Sequence, residues 1–339
     1  MSQYEVNIDI ANAAKTEMRK TLATDNKRVL NAVGAFSSLY DISDLGYRHP
    51  VLVLKTEEPG SKQLLAAQYD RLEGVCHDMI NHLINDCIVM GATPLTIQDA
   101  IICGKLEKSA ITRMVKALAD AARAQGCVLT GGETSEQPGV LPAGSYVLTS
   151  SIVGVVERDE IIDGSRITPG DIVLSLQSSG IHTNGYTLVR RIMREHPAIM
   201  DEAVDGVSFL DAILEPHRCY YTLLKDLFPT RYITGLAHIT GGGICENLNR
   251  VLPSGVDAEI DLSAYEINPV FKLLRQYGSI EDAEMLRTFN CGCGLAVVCK
   301  SEHTNDIIAH AASFRVPCYR IGVIREGSGV VQTRGSLPW

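Results

Sequence analysis

No run of about 18 apolar residues occurs in the chain, so nothing in it is long enough to cross a bilayer as a helix. The opening stretch MSQYEVNIDIANAAKTEMRK lacks the uninterrupted apolar core of a secretion signal, and a cytoplasmic location is expected. Positive charge is in deficit: 31 Lys and Arg face 40 Asp and Glu, a net −9. That balance argues against nucleic acid or an anionic membrane as a non-specific partner, because either needs a basic surface to displace counterions. It leaves room for a local pocket that takes a phosphorylated small molecule. CxxC pairs are missing as well. Ten cysteines are scattered from Cys76 to Cys318 without regular spacing, which indicates neither a disulfide framework nor a zinc site, and reduced thiols are expected. Cys291 and Cys293 in FNCGCG read as small buried residues before they read as soft-metal ligands. No repeat of about 20–50 residues and no low-complexity segment is visible, so solenoids and disordered scaffolds drop out.

What the chain does have is length and alternation. At 339 residues it exceeds one ordinary core and suggests two domains. Residues 1–164 alternate β-rich runs with amphipathic helices: VLVLK, then HDMINHLINDCIVMG, LTIQDAIIC, a long helix over 106–126 and SYVLTSSIVGVV. The turn-rich stretch 164–170, with Pro169, is the natural linker. Residues 165–339 continue with DIVLSLQ, a helix near 184–195, another within 208–228, GLAHIT, a helix from 244, AEIDL, GLAVVC, a helix at 303–314, CYRIGVI and a last strand in the tail. Both halves read as α/β or α+β.

Polar chemistry concentrates in a few places. Helical steps of 100° gather Asp78, His82 and Asn85 on one face of helix 77–90, opposite Met79, Leu83 and Cys87. That face is either solvated or part of a working site. Asp86, Asp99 and Glu133 lie beside apolar or glycine-rich segments, where an uncompensated carboxylate costs several kcal/mol. A hard cation such as Mg2+, with oxygen ligands and nucleotide phosphates, is the economical compensation. In the second half, SSGIHTNGY (178–186) and HITGGG (238–243) each lead into a helix, and backbone N–H groups there suit anions. His182, between Gly180 and Gly185, is open to two readings, a satisfied structural histidine or an acid, base or phosphate donor.

Taken in order, LINDCIVMGATPL, LTGGETSEQPG, GDIVLSLQSSGIHTNGYTLVRRI, HITGGGICENLNRVLP and FNCGCGLAVV resemble the phosphoribosylformylglycinamidine cyclo-ligase (aminoimidazole ribonucleotide synthetase) family, from about Tyr4 through Ile324. The resemblance implies a two-domain α/β fold. Its N-terminal domain (1–164) would bind ATP and metal and build a barrel-like interface in a homodimer, and its C-terminal synthetase-like domain would span 165–339. It also implies a reaction: ATP phosphorylates the formyl oxygen of formylglycinamidine ribonucleotide, an amidine nitrogen attacks, and phosphate leaves. By position, the resemblance makes Lys62, Asp99 and His182 the catalytic candidates. Gly60, Ser61, Asp86, Gly131, Gly132, Thr134, Asn184, Gly241 and Gly242 become candidates for holding ATP or substrate phosphate, and Glu57, Asp86, Asp99 and Glu133 for Mg2+.

The chain departs from the family in its first half. The family loop DGVGTK is EEPGSK here: Glu57 keeps a carboxylate, Glu58 adds a charge, Pro59 removes a backbone donor, and Gly60 and Lys62 are retained. The family's GLGGFG is AVGAFSS around Gly34 and Phe36, and DYYATGKL is DAIICGKL from Asp99. Three functions follow: a cyclo-ligase for this or a related ring, phosphoryl transfer to another small acceptor, or a silent paralogue that keeps the dimer scaffold.

Overall fold

In the computed structural model, which describes residues 8–31 and 35–339, contacts divide the chain into two units. The first runs up to Ile88 and from Ala92 to Arg158; the second comprises Val89–Gly91 and Asp159–Trp339. Of the departing stretch 32–38, residues 32–34 with Gly34 fall outside the described residues, whereas Phe36 is described and fully exposed.

The first unit opens with a helix the sequence did not announce, α1 (Ile8–Thr21), and continues with β1 (Pro50–Glu57), α2 (Lys62–Gln68) and α3 (Leu72–Ile88). Then come β2 (Thr93–Cys103), α4 (Lys108–Ala124), β3 (Val128–Glu136) and β4 (Tyr146–Glu157). The sheet order is β1-β4-β2-β3, with β2 and β3 parallel and the other pairs antiparallel. A parallel pair needs a long crossover, which α4 supplies. Met79, Ile80, Leu83, Ile84, Cys87 and Ile88 of α3 are fully buried, each worth about 1.5–3 kcal/mol of apolar transfer. Asp78, His82 and Asn85 are buried too, so the polar face of this helix is interior and the solvated reading falls.

Because side chains alternate along a strand and paired residues share a face, the register sets the layout of the site. Glu57 pairs with Ser150, Ser150 with Asp99, and Asp99 with Gly132, one row across four strands. Ser150 donates to Met79 Sδ of α3 at 3.4 Å, which puts this row on the helix-covered face. On the other face Leu52 and Leu54 remain 49% and 69% exposed.

The second unit follows β5 (Ile172–Gln177), α5 (Tyr186–Glu195), a short hairpin of β6 (Ala203–Val204) and β7 (Val207–Ser208), α6 (Phe209–Leu214) and α7 (Tyr221–Leu224). The single helix expected within 208–228 is broken because Pro216 forces its predecessor out of the helical region, and Glu215 has ψ 129°. Next are β8 (Ile233–His238), α8 (Gly243–Leu248), β9 (Val256–Asp261), α9 (Pro269–Gly278) and α10 (Asp282–Thr288). The chain closes with β10 (Cys293–Cys299), α11 (Thr304–Ser313), β11 (Cys318–Glu326) and β12 (Val331–Arg334). Six strands order as β12-β9-β11-β5-β10-β8, antiparallel except for the parallel β12–β9 edge. Every residue of β8 and β10 is buried, as for strands covered on both faces. The turn 164–170 is stitched into this unit: the Gly170 N–H donates to the Ile324 carbonyl at 2.9 Å, and the Ile162 N–H to that of Met90 at 3.1 Å. None of the ten cysteines forms a disulfide, and Cys291 and Cys293 are fully buried.

Candidate active site

In the first unit the acidic groups gather around one lysine. Lys55 and Glu57, two apart on β1, point to the same face toward Asp86 near the end of α3. Lys55 Nζ lies 2.9 Å from Glu57 Oε2 and 3.0 Å from Asp86 Oδ2. Burial pulls the Lys55 ammonium down, but the Glu57 hydrogen bond and the Asp86 charge together outweigh it, and its pKa is raised. His82 Nε2 completes the group, 3.7 Å from Asp86 Oδ2 and 3.9 Å from Glu57 Oε2.

The EEPGSK loop hangs from this cluster. Glu57 Oε1 accepts the N–H of Glu58 at 3.1 Å, so that backbone donor is committed to the carboxylate, and Pro59 has none. Glu58 is exposed, Pro59 is buried, and Gly60 has φ 62°. Ser61 caps α2 without a side-chain hydrogen bond. The loop therefore serves to fix Glu57 rather than to wrap an anion in amides. Lys62 is turned inward. It is 1% exposed and pairs with the fully buried Asp78, Nζ to Oδ1 at 2.8 Å.

Asp99 sits two strands from Glu57 in the same row, about 10 Å away backbone to backbone. It is 8% exposed, and no cation pairs with it among the described residues. Burial raises its pKa from 3.8 to about 7, opposed only in part by its own backbone N–H. Gly132 makes the arrangement feasible, since a Cβ there would fall 2.2 Å from the Asp99 carbonyl oxygen and 2.3 Å from Oδ1. Thr134 pairs with Ile101 and so shares the face of Asp99, and its Oγ1 is buried with no hydrogen-bond partner among the described residues. Glu133 pairs with Ala100, on the opposite face, is exposed, and accepts the Thr134 N–H at 2.8 Å. Gly131 also faces away from Asp99; a Cβ on it would lie 3.2 Å from Ser38 Oγ, whose hydroxyl donates to the Thr130 carbonyl. The fold thus groups Glu57 with Asp86, sets Asp99 and Thr134 on the same face, and leaves Glu133 apart.

Glu57, Asp86 and Asp99 offer only oxygen donors, the chemistry a hard divalent cation takes, although Lys55 bridges Glu57 and Asp86 and the three carboxylates are not drawn together around one point. The raised pKa of Asp99 is the mark of a buried carboxylate that such a cation would return to its ionised state.

In the second unit the two glycine turns meet. A Cβ on Gly241 would lie 3.3 Å from Asn184 Oδ1. His182 occupies a left-handed position, φ 65°, and its Nε2 accepts the Ser179 N–H at 3.2 Å. The Ser178 and Ser179 hydroxyls are committed internally: Ser178 Oγ donates to Asn290 Oδ1 at 2.9 Å, and Ser179 Oγ to the Pro216 carbonyl at 2.7 Å. Two asparagines hold the turns. Asn290 Nδ2 donates to the Gly180 and Ile181 carbonyls at 2.9 and 3.2 Å. Asn247 Nδ2 reaches those of Thr240, Gly241 and Gly243 at 3.3, 3.1 and 2.9 Å. Gly242 has φ 93°, a backbone that a side chain would strain.

Lys55, Asn247, Asn290 and His217 were not singled out from the sequence. Asn247 and Asn290 lie inside the glycine-rich blocks, and that nearness was the available signal. His217 and Lys55 carry no local pattern.

Comparison with known proteins places both units. Residues 46–156 match the family described as AIR synthase related protein, N-terminal domain, and residues 168–333 its C-terminal domain. The chain is 41% identical over 333 residues to the phosphoribosylformylglycinamidine cyclo-ligase of Chromobacterium violaceum, covering 97% of this chain and 96% of that one. Among solved structures it is similar to E. coli HypE, with TM-score 0.70 at 18% identity over 96% of this chain and 94% of that chain. It is also similar to the hydrogenase maturation protein HypE in complex with ATP, with TM-score 0.67 at 17% identity over 95% and 90%. At such identities the structural likeness speaks for the fold alone. The full-length identity goes further, and by it the chain belongs to the phosphoribosylformylglycinamidine cyclo-ligase family.

Proposed function

We propose that the chain is an ATP-dependent cyclo-ligase that closes the aminoimidazole ring of formylglycinamidine ribonucleotide in purine biosynthesis, releasing ADP and phosphate. The observation that carries this reading is the 41% identity across both domains, which spans the Asp99 row and the two glycine turns alike.

The residues divide the work by unit. In the first, Glu57, Asp86 and Asp99 would hold Mg2+, which when bound neutralises charge on the ATP phosphates. Asp99, lying between acid and carboxylate near neutral pH, is suited to hold or move a proton at its Oδ atoms. The Thr134 hydroxyl donates to a nucleotide oxygen, an assignment supported by its buried Oγ1. Lys62 acts at one remove: committed to Asp78, it holds α2 and the end of the loop against α3. In the second unit the turns shaped by Asn290 and Asn247 present Asn184, Gly241 and Gly242 to the ribose phosphate, and His182 handles a proton of the substrate.

The half-exposed Leu52 and Leu54 on the helix-free face of the first sheet support a second copy of the chain as the partner that covers it. A cytoplasmic location accompanies this reading, and no helix among the described residues is long and apolar enough to cross a membrane. Growth of a purine auxotroph lacking its cyclo-ligase, on expression of this chain, tests substrate and activity together. Soluble expression without growth would count against the purine substrate.

A further inference from the structure

Three histidines from separate segments meet inside the second unit. His182 lies in the turn between β5 and α5, His217 directly follows the Pro216 that ends the α6 region, and His238 is the last residue of β8. They are 1%, 1% and 6% exposed. The rings of His182 and His217 stack at 3.8 Å with 19° between planes, and His238 lies 5.0 Å from His217, tilted by 54°. His217 Nε2 and His238 Nε2 are 2.9 Å apart. One nitrogen of each ring lies within 4.8 Å of one nitrogen of each of the others. The pocket is shaped for these rings: a Cβ on Gly294 would fall 2.8 Å from His182 Cε1 and 2.0 Å from the Tyr220 hydroxyl, so only glycine leaves the space.

We propose that His182, His217 and His238 form a binding site for a divalent transition-metal ion of the zinc class. Three imidazoles with no thiolate or carboxylate among them suit Zn2+, Co2+, Ni2+ or Cu2+ and disfavour Mg2+. Three histidine ligands with a fourth position left open is an arrangement zinc adopts. Zn–N bonds of about 2.0–2.1 Å in a tetrahedron separate ligand nitrogens by roughly 3.3 Å. The His217–His238 pair at 2.9 Å therefore has to open by about 0.4 Å on that geometry. His182, stacked on His217, has to turn its ring to aim a nitrogen at the same point, because the in-plane lone pairs of near-parallel rings do not converge. Its Nε2 lone pair, now held by the long 3.2 Å contact from the Ser179 N–H, is the one the metal takes, and Nδ1 keeps its proton. Occupancy and proton handling by His182 then exclude each other.

The test uses the full-length chain, stripped with chelator and titrated with Zn2+ and with Co2+. One equivalent of either binds, and Co2+ develops the intense visible absorption of a four-coordinate site. His217→Gln and His238→Gln each weaken binding at least about 100-fold, because losing a ligand costs no less than losing its outer-shell support. His196→Gln, at an exposed histidine of the same unit, leaves it unchanged. Near-ultraviolet circular dichroism checks that the variants fold. Should either fail to fold, X-ray absorption on the zinc-loaded wild type decides: three imidazole nitrogens in the first shell support the site, whereas sulfur ligands overturn it. Wild-type binding no tighter than that of the folded variants also overturns it.

Discussion

Replacing Asp99 with asparagine removes a proton equilibrium and keeps nearly the same shape, so the pH dependence of stability reports directly on the buried acid. The folded pKa of about 7 stands above the reference 3.8. Between these values the folded chain retains a proton that the unfolded chain has released. Stability therefore falls as pH rises, and the penalty levels off above about pH 7. Its full size is about 3 pKa units, or about 4 kcal/mol. Between pH 5 and pH 8 the same relation gives a change of about 2.5 kcal/mol, because part of the penalty is already present at pH 5. Asp99→Asn does not titrate, so its stability relative to wild type should improve by that amount over the interval. Urea unfolding of both proteins at the two pH values measures it, with other titrating groups cancelling in the difference. Adding Mg2+ and ATP at pH 8 should narrow the gap, since they would stabilise the ionised wild-type carboxylate. A gap that stays constant from pH 5 to pH 8 would refute the buried-acid argument.

Lys62→Met breaks the buried 2.8 Å pair with Asp78 and should cost about 3–5 kcal/mol in urea unfolding. A loss of activity with unchanged stability would instead assign Lys62 to the reaction. Leu54→Arg places a charge on the open sheet face and should convert a dimer to a monomer by light scattering, with circular dichroism unchanged. If wild type is already monomeric, the proposed partner face is refuted.

The strands were legible because VLVLK, LTIQDAIIC and GLAVVC carry β-branched or alternating patterns, and register then follows from burial of one face. The short helices α2, α6 and α7 were harder to place, since a four- to seven-residue element shows too few turns for periodicity. The site was legible at its glycines and carboxylates. Glu57, Asp99 and Gly132 fall in one row only once β4 is inserted between β1 and β2, a long-range pairing that no local spacing encodes. For the same reason Glu133, one residue from Gly132, gave no sign that the pleat would turn it away from Asp99. Lys62 was a catalytic candidate by its place at the end of the loop the resemblance identified, and only packing of α2 on α3 reveals its commitment to Asp78.

In the proposed reaction this chain couples ATP cleavage to ring closure despite its stiffened, acidic loop. The measurement is ADP release by the purified protein with ATP and Mg2+, with and without formylglycinamidine ribonucleotide, alongside quantitation of aminoimidazole ribonucleotide. ADP and the closed ring should appear in equal amounts, and only when the substrate is present. No ADP above blank at saturating substrate, or ADP with a phosphorylated product and no ring, would contradict it.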